Sequence, residues 1–210
     1  LQTAMLDEAY DLAYRWLMLR KSGLVFKGLQ RTGKTHACFR IQELLAVDFP
    51  TLPVVMISGE RNPTITKERF FRRALETCGF NVSNVSARSS YTTLFQNYLT
   101  GQCINSKNRS VLMMIDEAQM LSVTQFRYLF EVWNSMQLER YQLLTLMFGQ
   151  PNIDDLLRLS EEREHQEILG RFFVQVHPFG GVRSKDELRR ILSQYDGPLR
   201  FPRSTREWSF

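Results

Sequence analysis

Eight consecutive residues, Gly28-Leu29-Gln30-Arg31-Thr32-Gly33-Lys34-Thr35, carry the densest chemistry in the chain and fit the spacing G-x-x-x-x-G-K-[ST] in full. The glycines let the backbone curl so that successive N–H groups point at phosphate oxygens. A helix opening at Lys34 adds its positive dipole end. Lys34 can reach the β- and γ-phosphates of ATP, and the Thr35 hydroxyl can ligate magnesium. Arg31 stands where many such loops place another glycine. Its side chain is expected to face solvent or a neighbouring subunit.

A second group of residues follows about eighty positions later. Leu112-Met113-Met114-Ile115 is a continuously apolar run that delivers two carboxylates, Asp116 and Glu117, at its end. Ligands of open α/β sheets bind at the carboxyl ends of the strands. Asp116 is therefore read as part of the magnesium shell and Glu117 as the general base that polarises the attacking water. A glutamate beside the metal-binding aspartate favours water over an alcohol acceptor, which points to a hydrolysing ATPase rather than a small-molecule kinase.

These residues need elements to hold them. Apolar residues at helical spacing predict a helix over Met5 to Leu19, and others over Lys34–Val47, Thr66–Cys78, Tyr91–Ile104, Thr124–Arg140, Asp154–Leu159 and Ser184–Gln194. Short apolar runs predict strands over Leu24–Phe26, Leu52–Ile57, Val111–Asp116, Gln142–Phe148 and Phe172–His177. Glu60–Pro63 reads as a turn and the polar stretch Asn81–Ser90 as a loop. Strands that alternate with helices and are continuously apolar imply a parallel sheet covered on both faces. The expected organisation is a nucleotide-binding α/β domain over residues 1–180. Residues 181–210 would hold a single lid-like helix and an irregular tail from Gly197 to Phe210.

Bulk composition excludes several classes. The 210 residues are 43% hydrophobic and 23% charged, ordinary for a globular domain. No apolar run approaches the roughly 18–20 residues that span a bilayer, and no signal peptide is visible, so a cytoplasmic protein without a membrane partner is expected. The chain opens at Leu1 rather than Met, which leaves room for residues upstream. Cys38, Cys78 and Cys103 are odd in number and far apart, against a disulfide framework or a zinc site. His36, His165 and His177 lack metal-ligand spacing. The net charge of +5 permits nucleic-acid binding without establishing it.

With these motifs in place, the sequence resembles the AAA+ ATPases. The resemblance implies a five-stranded parallel sheet in the order 5-1-4-3-2, a polar sensor residue at the end of the fourth strand, and an arginine before the fifth strand that reaches the γ-phosphate of the next subunit. Gln150 in Gly149-Gln150-Pro151 matches the sensor position, with Thr145 as the weaker alternative. Arg171 in Gly170-Arg171-Phe172 matches the arginine, with Arg163 and Arg158 as alternatives. The family's C-terminal lid is matched only by Ser184–Gln194. Within AAA+, Ile115-Asp116-Glu117-Ala118-Gln119 together with Gly149-Gln150-Pro151 is similar to the transposition regulators called TnsC and TniB. That likeness implies a protein that assembles on double-stranded DNA as a ring or helical filament when ATP is bound. It would link a target-selection protein to a transposase, and hydrolysis would reset the assembly.

Backbone phosphate contacts give affinity without sequence readout. Arg61, Lys67, Arg69, Arg72 and Arg73 are the residues expected to make them, with a solvated, ion-paired helix face as the competing reading; Arg88 lies nearby. A second basic group, Arg183, Lys185, Arg189, Arg190, Arg200, Arg203 and Arg206, could meet DNA, a protein partner or solvent. The rival functional readings are an AAA+ ATPase acting on protein partners, as in the ExeA-type secretion ATPases, a metabolic P-loop kinase and a non-catalytic nucleotide switch.

Overall fold

A computed structural model describes residues 3–62, 64–83, 90–161 and 166–196. Five strands form one sheet: β1 (Leu24–Lys27), β2 (Val54–Ser58), β3 (Ser110–Asp116), β4 (Gln142–Gly149) and β5 (Gln175–Pro178). Their spatial order is β2-β3-β4-β1-β5 and every pairing is parallel. Read from the other edge this is 5-1-4-3-2, the expected order.

Alternation along the strands divides the core between the two sheet faces. Leu24, Phe26, Leu112, Met114, Leu144, Leu146 and Phe148 point to one face. There they pack against α1 (Ala4–Met18) and α2 (Lys34–Asp48) through Leu6, Ala13, Ala37, Ile41 and Leu45. Val25, Val55, Ile57, Val111, Met113, Ile115, Leu143 and Met147 point to the other. That face is covered by α3 (Lys67–Thr77), α4 (Tyr91–Ile104), α5 (Val123–Leu138), α6 (Ile153–Glu161) and α7 (Gln166–Phe172). The helix starts are specified locally. Thr3, Thr66, Ser90 and Ser122 each accept a backbone N–H of their helix's first turn, and Ser122 with Gln125 forms a reciprocal capping box.

The fifth strand corrects the sequence reading. Phe172 closes α7 instead of opening a strand, and β5 begins at Gln175. Ile168 and Phe172, four residues apart, share the buried face of α7, where the Phe172 ring meets Phe126 at 5.5 Å. The apolar pair Phe172-Phe173 is thus a helix end driven into the core. A single 3-10 turn, Ala118–Met120, follows β3 and was not expected. Beyond β5, Arg183 pairs with Glu8 of α1 at 3.0 Å, just before α8 (Lys185–Asp196) begins. The expected tail from Gly197 onward, most of the loop after Asn81, and Arg88, Arg163, His165, Arg200, Arg203 and Arg206 lie outside the described residues.

Candidate functional site

Three neighbouring strands, β3, β4 and β1, end at the same edge of the sheet. The phosphate-type loop leaves β1, the two carboxylates leave β3, and Gln150 leaves β4 between them. Residues more than a hundred positions apart are brought together by strand order alone. They line a cleft of about 390 Å³ that contains Gln30, Arg31, Gly33, Lys34, Thr35, His36, Glu117 and Gln150.

The loop's geometry follows from its glycines. Gly33 has φ +86°, a left-handed conformation disfavoured for a residue with a Cβ, and it caps α2 without a side chain. The first turn of this 15-residue helix therefore has no side-chain cap and no acidic residue of its own. Gly28 lies so close to the chain after β5 that a Cβ there would sit 2.1 Å from the Phe179 carbonyl oxygen. Arg31 also adopts positive φ, at 60°. Its side chain is exposed and lines the cleft.

Lys34 is 5% exposed. Its ammonium donates to the carbonyls of Gly28 at 3.0 Å and Leu29 at 2.5 Å, folding back on the loop that presents it. Burial pulls its pKa below the ordinary lysine value, against the opposing charges of Glu117 and Asp116. The Thr35 hydroxyl donates to Asp116 Oδ2 at 2.7 Å, so two hard oxygen donors from different elements converge. Among the described residues no cluster of three or more His, Cys, Asp or Glu could hold a metal ion by itself. The Cys38 thiol, behind the loop, is pushed up to about 12 by burial and by the Asp116 charge, which makes it a packing group.

Glu117 turns sharply out of β3 with φ 51°. One of its oxygens, Oε2, accepts from the Gln150 side-chain amide at 3.0 Å and from the Gln119 amide. Gln119 Oε1 in turn accepts the Gln150 backbone N–H at 3.0 Å. Gln119 closes the Ile115-Asp116-Glu117-Ala118-Gln119 motif, and nothing in the sequence alone assigns it a role. Its signal was a polar residue just past an apolar strand, at a position the structure buries. Thr145, the alternative to Gln150, lies in the middle of β4, four residues before the strand's end. There its hydroxyl meets Ser22 Oγ at 2.9 Å and accepts the Gly23 N–H at 3.0 Å.

Arg171 occupies the last turn of α7, with its guanidinium 4.4 Å from the centre of the Trp133 ring. It lines a second cleft, of about 340 Å³, with Arg20, Lys21, Ser22, Trp133 and Gly170. That cleft is at the end of the sheet where β1 and β4 begin. The four residues of β1, about 13 Å at ~3.3 Å rise per residue, separate it from the phosphate-type loop of the same chain.

The basic residues of the α3 region divide into two sets. Lys67 pairs with Glu131, Arg73 with Glu60, and Arg72 with Glu76 at 3.1 Å. Arg61 and Arg69 are exposed, and no side-chain ion pair reaches either from a described residue. Glu68, on the same helix, caps α4 by accepting from Ser90, Tyr91 and Thr92.

Comparison with known proteins agrees with this architecture. A family model described as an AAA domain matches residues 18–157. No curated protein matches the chain by sequence. Among solved structures, Cdc6p from Pyrobaculum aerophilum superposes with a TM-score of 0.57 at 19% identity, over 90% of this chain and 47% of that one. AMPPCP-bound DnaA from Aquifex aeolicus gives 0.57 at 15% identity, over 96% and 55%. Drosophila ORC bound to DNA gives 0.59 at 8% identity, over 90% and 32%. The chain thus spans between a third and just over half of these structures' chains, which it resembles in fold. No described helix is long and apolar enough to cross a membrane. With two thirds of its residues inside the family model and the nucleotide-binding motifs gathered at one sheet edge, the chain belongs to the AAA domain family.

Proposed function

We propose that the chain is an ATP-hydrolysing module that assembles head-to-tail on double-stranded DNA and regulates transposition. The observation that carries the hydrolytic part is the convergence of Lys34, Thr35, Glu117 and Gln150 on one cleft, with Asp116 accepting from the Thr35 hydroxyl. The loop N–H groups from Gly28 to Gly33 and the start of α2 would cradle the triphosphate. Lys34 would exchange the loop carbonyls for the β- and γ-phosphates. The Thr35 hydroxyl and the Asp116 carboxylate suit magnesium, a hard cation that prefers oxygen ligands and is commonly completed by substrate phosphates. Bound there, the ion would neutralise charge developing between the β- and γ-phosphates.

Glu117 takes a proton from water as the water oxygen bonds to the γ-phosphorus. The bond to the β–γ bridging oxygen breaks, and ADP leaves with its electron pair. Gln150 holds the Glu117 carboxylate from the end of β4. Arg171 cannot serve its own cleft across the sheet, so Arg171 of a second copy would complete the site.

The assembly on DNA and the transposition role rest on the motif likeness to TnsC and TniB, on the net charge of +5, and on the exposed Arg61 and Arg69, which no described residue ion-pairs. A transposase and a target-selection protein would be the protein partners. Ion pairing of Lys67, Arg72 and Arg73 favours a second reading, an AAA ATPase directed at protein partners. Electron microscopy of the purified chain with duplex DNA, with and without a non-hydrolysable ATP analogue, separates the two. Nucleotide-dependent rings or filaments on DNA are expected. Their absence in both conditions would overturn the DNA-assembly reading and favour the protein-directed one.

A further inference from the structure

We infer that Gln119 is the positioning residue of the hydrolytic site. It ties Glu117 to the end of β4 so that one carboxylate oxygen is held and the other is left to receive the proton of water. The inference rests on the hydrolytic reading above. Gln119 is 8% exposed, and the two ends of its amide are used in different directions. Nε2 donates to Glu117 Oε2, and Oε1 accepts the Gln150 backbone N–H at 3.0 Å. A flipped amide would set its NH₂ against an N–H and its oxygen against a carboxylate, so the two neighbours fix its orientation.

The same Glu117 oxygen also accepts from Gln150 Nε2 at 3.0 Å. Two amide donors therefore converge on Oε2, and no hydrogen bond from a described residue reaches Oε1. A carboxylate with one oxygen clamped can rotate little. Its unused lone pairs then face one direction, which is what a base for a single water requires. Gln119 also fixes the backbone of Gln150, and so acts on Glu117 twice: directly, and by aiming the second amide. The 3-10 turn Ala118–Met120 brings it into reach, beginning from the left-handed backbone of Glu117.

Two variants test this. Gln119→Ala removes both ties, and a loss of about 10²-fold in kcat is expected from misplacement on the scale of 1 Å, with ATP affinity unchanged. Gln119→Glu keeps the length and can still accept the Gln150 N–H, but has no N–H to donate to Glu117, so kcat should fall there too, again with ATP affinity unchanged. Unchanged kcat in either variant, or a loss seen equally in ATP affinity, would overturn the assignment.

A readout without turnover separates this inference from the hydrolytic reading. The Gln150 backbone N–H, which donates to Gln119 Oε1, should be slow in hydrogen exchange in the wild-type chain and exchange faster in Gln119→Ala; an unchanged exchange rate would overturn the tie. If the wild-type chain with Mg-ATP and duplex DNA shows no hydrolysis, the hydrolytic reading fails and with it the role in water activation, while the exchange measurement still reports whether the tie exists.

Discussion

Lys34 is a buried cation whose ammonium donates, among the described residues, to two carbonyls, and this shapes how the site should respond to pH. Burial lowers its pKa, so it loses its proton at a lower pH than an ordinary lysine would. Triphosphate binding needs the ammonium. ATP affinity should therefore fall on the alkaline side, beginning below the usual lysine range. For the nucleotide-free chain the sign is opposite. The unfolded chain holds the proton more tightly, so this group's contribution to stability rises with pH through the lowered pKa. Titration calorimetry with ATP and urea unfolding without it, both between pH 7 and 10 on the wild type and on Lys34→Met, check the two. The variant should not bind, and its stability should lack that alkaline gain. Glu117→Gln should bind ATP normally and lower kcat by about 10²–10⁴-fold, the range for loss of a general base; single-turnover kinetics measures it. The glycine loop and Asp116-Glu117 were legible because each is a contiguous run whose chemistry depends on spacing along the chain. Gln119 was not, because its work is to bridge two strand ends whose adjacency is created by the sheet.

At the scale of elements, α7 and β5 show where apolar runs mislead. Phe172-Phe173 looks like the start of a buried strand, and a run of that length cannot be told from a helix end by periodicity alone. What decides is Ile168 one turn earlier, which places Phe172 on the same helix face against Phe126. Phe172→Ala should cost about 3–5 kcal/mol of stability, read by urea unfolding, since the ring is fully buried. The other strands and the capped helices followed from their sequences to within a few residues, because caps such as Ser90 and Ser122 act locally. On the exposed side of α7, Trp133 of α5 holds the Arg171 guanidinium. Arg171→Ala should leave ATP binding by the lone chain unchanged and remove the rise of specific activity with protein concentration. An ATPase assay over a concentration series measures this.

For the whole molecule, the +5 charge is spread over surfaces where many cations already have partners, including Arg183 with Glu8 and Arg189 with Asp186. The α3 face illustrates why a basic helix in a sequence overstates its reach. Glu60 and Glu131, which pair with Arg73 and Lys67, come from other segments of the chain. If DNA binds there, replacing Arg61 and Arg69 with alanine should reduce the slope of log affinity against log salt by about 0.9 per lost phosphate contact. Replacing Lys67 and Arg73 should change it less. Fluorescence anisotropy on duplex DNA across a salt series gives both slopes.

The placement of Arg171 and the phosphate-type loop at opposite ends of the strands gives the chain a direction. On the proposed use of Arg171 in a second copy's cleft, a head-to-tail contact joins these unlike ends and repeats in one sense, closing into a ring or running on as a helix. Such an assembly has a leading and a trailing end. Two individually inactive chains, Lys34→Met and Arg171→Ala, should therefore restore part of the turnover when mixed, because each supplies the half-site the other lacks.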